Sequence, residues 1–217
     1  MGKKSRKYIL FALPILLFTV MAYYSFEVLL ARQRTEQIAR TYLAQAAIRK
    51  ENLSTRQLEI LLKVQDPNFY GHHGVDFHTA GTGWTTITQS LAKRFYFRQF
   101  RQGLPKIKQT MCARFALDSL VSKDQQITIF LNEMYFGNEQ TGISDAAAYY
   151  FSKKVYELTE DEYISLIASI MSPATMNIKS NPEANAQRVR RIKKMLSGEY
   201  KPTHLLDIDY SKQNSLQ

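Results

Sequence analysis

A chain of 217 residues has room for one domain, or for one domain and a membrane anchor. Its hydrophobic fraction of 45% supplies a core and excludes a largely disordered protein. The formal charge of +10 predicts an anionic partner, such as nucleic acid, anionic lipid or a phosphate-bearing substrate. The single cysteine, Cys112, excludes an intramolecular disulfide, and its apolar neighbours predict a buried thiol.

The N-terminal residues predict a membrane anchor. Residues 1–7 carry four Lys or Arg side chains, and residues 8–26 contain no charged side chain. That uncharged stretch is close to the roughly 20 residues that a helix needs to cross a bilayer. We therefore predict a basic cytoplasmic tail over 1–7 and a transmembrane helix over 8–31, with the following domain outside the cytoplasm. A cleaved signal peptide is the alternative, but its apolar core is normally shorter and no small-residue cleavage site follows.

Capping signals mark the helices that follow the anchor. Residues 27–53 have a polar, amphipathic helical pattern that leads away from the membrane. Ser54 and Gln57 form a capping box, which predicts the start of a helix that Asp66 and Pro67 end. The apolar face of this helix is predicted to contain Leu58, Leu61 and Leu62.

An irregular region is predicted next. Residues 71–103 are rich in Gly, Thr and aromatics and show little helical periodicity. Aromatic and cationic side chains are mixed within it: Phe95, Tyr96, Phe97 and Phe100 with Lys93, Arg94, Arg98 and Arg101. Because both kinds find partners at a membrane interface, we predict a mobile, membrane-proximal loop region over 77–105. An ordinary surface loop is the alternative. RNA binding lacks any recognised module, so nucleic acid is not an expected partner.

The second half of the chain predicts further helices and little strand. Helices are predicted over residues 106–120 and 145–151. Two more are predicted to begin at the capping boxes Ser122/Gln125 and Thr159/Glu162. A last helix is predicted from Asn181-Pro182 to Gly198. The buried face of the helix after Ser122 is predicted to hold Ile127, Phe130, Leu131, Met134 and Tyr135. Residues 188–194 are predicted to form a solvated basic face, and residues 201–217 a loose tail.

Three segments carry a recognisable pattern. Gln65, Asp66, Phe69, His72, Gly74 and Asp76 have the spacing of the first signature motif of the peptidoglycan glycosyltransferases, glycosyltransferase family 51. The segments TTITQSLAK (85–93) and LNEMYFG (131–137) resemble its second and fourth motifs, and the resemblance spans residues 58–195. An N-terminal anchor before such a domain also resembles the monofunctional biosynthetic transglycosylases.

The resemblance implies a mainly α, lysozyme-like glycosyltransferase domain over residues 32–200 that polymerises lipid II. In this family the 4-hydroxyl of an incoming lipid II attacks C1 of the donor with inversion, and undecaprenyl pyrophosphate leaves. A general base accepts the hydroxyl proton, and cations stabilise the departing pyrophosphate. The implied location is the bacterial cytoplasmic membrane, with the domain on its outer face. The implied partners are lipid II, the lipid-linked glycan, the bilayer and other cell-wall synthesis proteins.

Both catalytic glutamates of the family are replaced in this chain. Gln65 stands at the position of the base, and an amide can position a hydroxyl but cannot take up its proton. The second glutamate belongs to the third motif and aligns with Gln109 when that motif is aligned from its N-terminal side. Counting back from Asp118 and Ser122 places it at Thr110 instead. Asp66 is then the closest alternative carboxylate in sequence, followed by Asp76.

These replacements leave more than one functional hypothesis open. Loss of a general base typically lowers a rate by about 10²–10⁴-fold, so a slow glycosyltransferase remains possible. A catalytically inactive lipid II-binding scaffold is the alternative. A glycan hydrolase is a third hypothesis, although hydrolysis normally requires a protonated carboxylic acid beside the leaving oxygen.

The resemblance also implies a substrate-binding set: Phe69, His72, Thr86, Thr88, Gln89, Lys93, Lys106 and Asn132. Lys93 and Lys106 are expected to hold the pyrophosphate, whereas Asn132 could equally be a structural polar group. No cofactor or metal site is predicted with certainty. A divalent cation at the pyrophosphate, shared by Asp66 or Asp76, is the candidate that the resemblance implies.

Overall fold

Helices dominate the part of the chain that the structure describes. The computed structural model describes residues 3–101 and 103–211, with side chains from residue 12 onward. The α-helices are α1 (Lys3–Ala44), α2 (Thr55–Gln65), α3 (Ile87–Tyr96), α4 (Leu104–Cys112), α5 (Asp118–Leu120), α6 (Lys123–Glu133), α7 (Ile143–Phe151), α8 (Glu160–Ile170) and α9 (Pro182–Leu196). Within these ranges the β-structure consists of one isolated β-bridge, between Tyr135 and Thr141. The mainly helical prediction is confirmed.

Helix α1 joins the predicted anchor to the body without a break. Its residues 12–44 are long and apolar enough to cross a membrane. Large apolar side chains such as Phe18 and Met21 are exposed on its first part, whereas Ala31 and Thr35 further along are buried against the body. Ion pairing of Glu27 with Lys108 of α4 adds a polar contact to this docked part. The apolar N-terminal segment and the first helix of the body are therefore one continuous helix.

Four helices begin with the same reciprocal cap. The N-cap side chains of α2, α3, α6 and α8 accept from the backbone N–H three residues on, and the side chain at that position accepts from the N-cap N–H. The N-cap residues are Ser54, Thr86, Ser122 and Thr159. The boxes predicted at Ser54, Ser122 and Thr159 are confirmed. The helix that follows Ser122 ends at Glu133, and Tyr135 is exposed, which differs from its predicted place on the buried face.

The prediction of irregular structure over residues 71–103 is wrong for α3. Tyr42 of α1 stacks on Phe95 with 5.3 Å between the ring centroids, and the Thr35 and Tyr96 hydroxyls are 2.8 Å apart. These two aromatics therefore belong to the core between α1 and α3. The mobility proposed for residues 77–105 remains a prediction.

A π-helical turn over Ala113–Leu117 connects α4 to α5. Gly74 packs against it with φ +84°, and a Cβ added there would lie 2.7 Å from the Ala113 carbonyl oxygen. Cys112, just before the turn, is fully buried, as predicted. Burial raises the pKa of its thiol to about 11.

Residues 201–211 form a C-terminal strap across the body. The Gly81 and Gly83 N–H groups donate to the His204 and Leu205 carbonyls at 3.0 and 2.8 Å. Tyr210 is 3% exposed. This packing differs from the loose tail that was expected. Residues 212–217 of that tail, like residues 1–2 of the predicted cytoplasmic tail, lie outside the described residues.

Candidate active site

A cleft of about 510 Å³ is lined by residues of α2, α3, α6, α8 and α9. Gln65 closes α2, Lys93 lies in α3 and Arg188 in α9, and the loop over residues 82–86 completes the wall. An adjoining chamber of about 300 Å³ shares Lys93 and contains Lys106 and Gln109. Another cavity of about 400 Å³, between α2 and α8, is lined by none of the predicted site residues.

Gln65 lies at the C-terminal end of α2, where the sequence predicted the helix to stop. It is half-buried, and its Nε2 donates to the Ile167 carbonyl at 3.4 Å. The side chain therefore lies in the cleft wall with one end held by α8. Its amide oxygen can accept a hydrogen bond but cannot retain a proton at neutral pH.

Two lysines make the cleft and its side chamber cationic. Lys106 donates to the Trp84 carbonyl at 2.8 Å and to the Thr85 hydroxyl at 3.0 Å. Burial, with a smaller contribution from the charge of Lys93, lowers the pKa of Lys106 to about 8. Burial also lowers the pKa of Lys93. Within the described residues no carboxylate lies within 4.0 Å of either ammonium group, so both charges are available to an anion.

Arg188 is a cleft residue that the sequence analysis assigned to a solvated face. It is 3% exposed, so that prediction is wrong at this position. Its guanidinium carbon lies 4.5 Å from the centroid of the Tyr210 ring, and its Nε and Nη1 have no hydrogen-bond partner among the described residues. Burial lowers the pKa of Arg188, opposed by Tyr210 and Asp209. Arg188 lies three residues after Asn185 and four before Ile192, on the face of α9 that the structure buries.

Asp66 is fully buried and belongs to the framework below the cleft. Its carboxylate lies 3.0 Å from Nε2 of His72 and accepts from the Ile87 N–H at 3.0 Å. The first turn of α3 is thus tied to the end of α2. Asp66 does not line the cleft or its side chamber.

Asp76 organises the loop after the first motif. It accepts hydrogen bonds from the Asn68 amide, the Thr79 hydroxyl and the His78 and Thr79 backbone N–H groups. Burial opposes ionisation of this carboxyl, but the hydrogen bonds outweigh that effect and lower its pKa. No group of three or more His, Cys, Asp or Glu side chains suited to a metal occurs over residues 3–101 and 103–211.

The remaining predicted site residues divide into cleft-lining and supporting positions. Thr86 lines the cleft, and Gln109 lines the side chamber, where its Nε2 donates to the Gln89 carbonyl. The others are buried or bonded to protein groups. Phe69 lies beneath the Lys123 ammonium, Thr88 donates to Gln126, Gln89 donates to Thr110, and Asn132 binds the backbone at residues 47, 48 and 128. Sequence reasoning missed Thr82, Leu206 and Ile208 of the cleft wall.

Comparison with known proteins adds an independent result. The family described as Transglycosylase matches residues 32–197. The chain is 34% identical to penicillin-binding protein 1F of Bacillus subtilis over 143 residues, which is 60% of this chain and 20% of the relative. It is 30% identical to penicillin-binding protein 1A of Escherichia coli over 69% of this chain and 19% of the relative. The chain therefore spans about a fifth of the length of these relatives.

Proposed function

The chain belongs to the transglycosylase family, and on that basis we propose that it extends peptidoglycan glycan strands from lipid II at a rate limited by Gln65. The observation that supports this proposal is the joint position of Gln65, Lys93 and Lys106 along one cleft and its side chamber. The cleft thus offers a hydrogen-bonding amide beside two uncompensated cations. A sugar whose C1 carries a diphosphate is the ligand that this combination fits.

In the proposed reaction the C1–O bond to the undecaprenyl pyrophosphate breaks while a bond from the acceptor 4-oxygen to C1 forms. Lys93 and Lys106 stabilise the charge that develops on the leaving pyrophosphate. Gln65 orients the acceptor hydroxyl by accepting its hydrogen bond, and the proton passes to solvent water. Because no positioned base accepts it, we expect a rate about 10²–10⁴-fold below that of an enzyme with a carboxylate there.

Asp66 and Asp76 are poor substitutes for the missing base. The Asp66 carboxylate is fully buried and already binds His72 and the N–H of Ile87. Asp76 accepts four hydrogen bonds from its own loop and is 6% exposed. We assign both to positioning the loop and α3. The same saturation of their oxygens argues against a shared divalent cation at these two residues.

Lipid II binding without turnover is the second candidate, and the amide at position 65 is the observation that favours it.

We also propose that α1 crosses the bacterial cytoplasmic membrane with the body on the outer face. The exposed apolar side chains on the first part of α1 support this placement. Other cell-wall synthesis proteins and the lipid-linked glycan are the proposed partners in this setting.

The decisive experiment compares the wild type, Gln65→Glu and Lys93→Met in lipid II polymerisation and in lipid II binding. We expect slow polymerisation by the wild type, a large increase with Gln65→Glu, and weakened binding with Lys93→Met. Binding by a wild type that never forms polymer would favour the scaffold. Failure of the wild type to bind lipid II would contradict both candidates, and release of fragments from polymeric glycan would establish the hydrolase.

A further inference from the structure

The C-terminal strap contains a turn that is organised by one buried carboxylate, Asp207. This side chain is 6% exposed, and it accepts hydrogen bonds from the Tyr200 hydroxyl at 2.8 Å and from the Thr203 N–H at 3.0 Å. The Asp207 N–H donates in turn to the His204 carbonyl at 3.0 Å. Asp207 therefore closes the turn over residues 203–207 with both its side chain and its backbone.

This turn presents two backbone carbonyls to the cleft loop, which comprises residues 81–86. The His204 carbonyl accepts from the Gly81 N–H at 3.0 Å, and the Leu205 carbonyl accepts from the Gly83 N–H at 2.8 Å. The strap and the loop are also closely packed, because a Cβ added to Gly83 would lie 3.2 Å from a methyl carbon of the strap. The position of the cleft loop therefore depends on the conformation of the turn.

The same loop supplies the acceptors that hold Lys106. The Lys106 ammonium donates to the Trp84 carbonyl at 2.8 Å and to the Thr85 hydroxyl at 3.0 Å, and these two residues directly follow Gly83. Lys106 is half-buried at this contact, and Lys93 is the other charged residue among the described ones that line the chamber. The place of the ammonium group in the side chamber is thus set by the cleft loop.

We propose that Asp207 is a positioning residue for Lys106 and that it acts through the strap turn and the cleft loop. The carboxylate fixes the turn, the turn fixes the loop at Gly81 and Gly83, and the loop fixes the two oxygens that hold the ammonium. Asp207 itself lines neither the cleft nor the side chamber. The role of Lys106 toward pyrophosphate rests on the proposed function, whereas the link from Asp207 to Lys106 rests on these contacts.

Loss of the Asp207 carboxylate should release the turn and let the cleft loop move. The Lys106 ammonium would then lose its two fixed acceptors and gain contact with solvent. Because burial is the main cause of its low pKa of about 8, solvation should raise the pKa of Lys106 toward the ordinary 10.5. A residue that contributes only to overall stability would leave this pKa unchanged in the folded protein.

Competitive labelling with acetic anhydride tests the proposal in the full chain in detergent. Only the neutral amine reacts, so the labelling of each lysine from about pH 6.5 to 10.5, read by mass spectrometry, gives its titration midpoint. We expect a midpoint near 8 for Lys106 in the wild type and a rise of about one pH unit or more in Asp207→Ala. Asp207→Asn keeps one acceptor oxygen and should give a smaller rise.

Binding of inorganic pyrophosphate, measured by calorimetry, supplies a second readout. Near neutral pH, the displaced ammonium should weaken binding by Asp207→Ala about threefold or more. Lys106 of the wild type becomes neutral above about pH 8, so the difference between the two proteins should shrink as the pH rises. The ratio of their dissociation constants cancels the titration of the ligand.

Matched variants of the same strap separate positioning from misfolding. Asp209→Ala removes a nearby carboxylate that pairs with Arg191 at 2.7 Å, and it should leave the Lys106 midpoint unchanged. Urea unfolding shows which variants retain the fold. Should Asp207→Ala fail to fold, Asp207→Asn and Tyr200→Phe carry the test. Tyr200→Phe removes a donor to the Asp207 carboxylate and should also raise the midpoint, by less than Asp207→Ala.

The outcomes distinguish this inference from the proposed function. An unchanged Lys106 midpoint in the folded Asp207 variants, or an equal rise in Asp209→Ala, overturns the positioning role alone. A raised midpoint with unchanged pyrophosphate binding contradicts the pyrophosphate role of Lys106 and leaves the positioning role intact. If the midpoint rises but lipid II neither binds nor reacts, the proposed function fails and the positioning role stands.

Discussion

At the scale of single residues, Lys106 gives the cleft a pH dependence. Its pKa of about 8 lies below the ordinary 10.5, so the side chain is charged below about pH 8 and becomes neutral above it. Pyrophosphate binding by the wild type should therefore weaken as the pH rises through 8. Lys106→Arg keeps its charge over this range and should not weaken in the same way. The measurement is the ratio of the two dissociation constants between pH 6.5 and 9.5, because the ratio cancels the titration of the ligand. An unchanged ratio would contradict the assignment of Lys106.

Individual residues also show how far sequence reasoning reached. The resemblance assigned five residues to the site that line the cleft or its chamber in the structure: Gln65, Thr86, Lys93, Lys106 and Gln109.

Asp66 and His72 were named as site residues but bind each other below the cleft. Motif spacing indicates that a residue belongs to the site without saying whether it contacts the ligand or holds another residue. Arg188 was missed because a basic helix is usually solvated, and only contacts with distant elements show that one of its arginines is enclosed.

At the scale of secondary-structure elements, the packing of Gly74 on the π-helical turn makes a testable contribution to stability. Gly74→Ala would bring a Cβ to 2.7 Å from the Ala113 carbonyl oxygen, whereas Gly198→Ala, at a similar φ, meets nothing within 4 Å. Gly198→Ala should lower the free energy of unfolding by about 1–2 kcal/mol, because alanine is strained in a left-handed backbone conformation. Gly74→Ala should lose a further 1–3 kcal/mol or so from overpacking.

The measurement is the free energy of unfolding in urea for both variants and the wild type. Similar decreases in the free energy of unfolding for the two variants would show that the π-helical turn accommodates the added Cβ without an energetic penalty. In that case the contact between the first motif and the turn would have little part in holding the loop.

Elements with explicit end signals were predictable, and α3 shows where such signals are overlooked. Its Thr86/Gln89 box has the same form as the three that were recognised. It follows a segment rich in Gly and Thr, and its aromatic side chains suggested a membrane interface. The helix forms because seven of its ten residues are buried, including contacts with α1 from a remote part of the sequence.

At the scale of the whole molecule, the C-terminal strap connects the cleft to the end of the described chain. Tyr210 is nearly fully buried and covers Arg188, whereas Tyr156 is 67% exposed. Tyr210→Ala should therefore lower the free energy of unfolding by about 3 kcal/mol, and Tyr156→Ala by less than about 0.5 kcal/mol. Urea unfolding of both variants checks this difference. A small loss for Tyr210→Ala would mean that the strap is only loosely held.

The global fold class was predictable because the motifs and helical periodicity agree across most of the chain. The strap was not, because its sequence from Lys201 onward is polar and lacks a helical or strand pattern. Its position depends on backbone hydrogen bonds to Gly81 and Gly83, more than a hundred residues earlier. Such long-range backbone pairing leaves no local trace in the side chains.

The continuity of α1 bears on how a soluble version for crystallisation should be cut. Truncation after Ala44 would strip away Ala31 and Thr35 and uncover Phe95 and Tyr96, inviting aggregation. Starting near Glu27 would retain the ion pair with Lys108 and the apolar seam behind it. Within the retained part of α1, Leu29 and Leu30 are the large exposed apolar side chains, and polar residues should replace them.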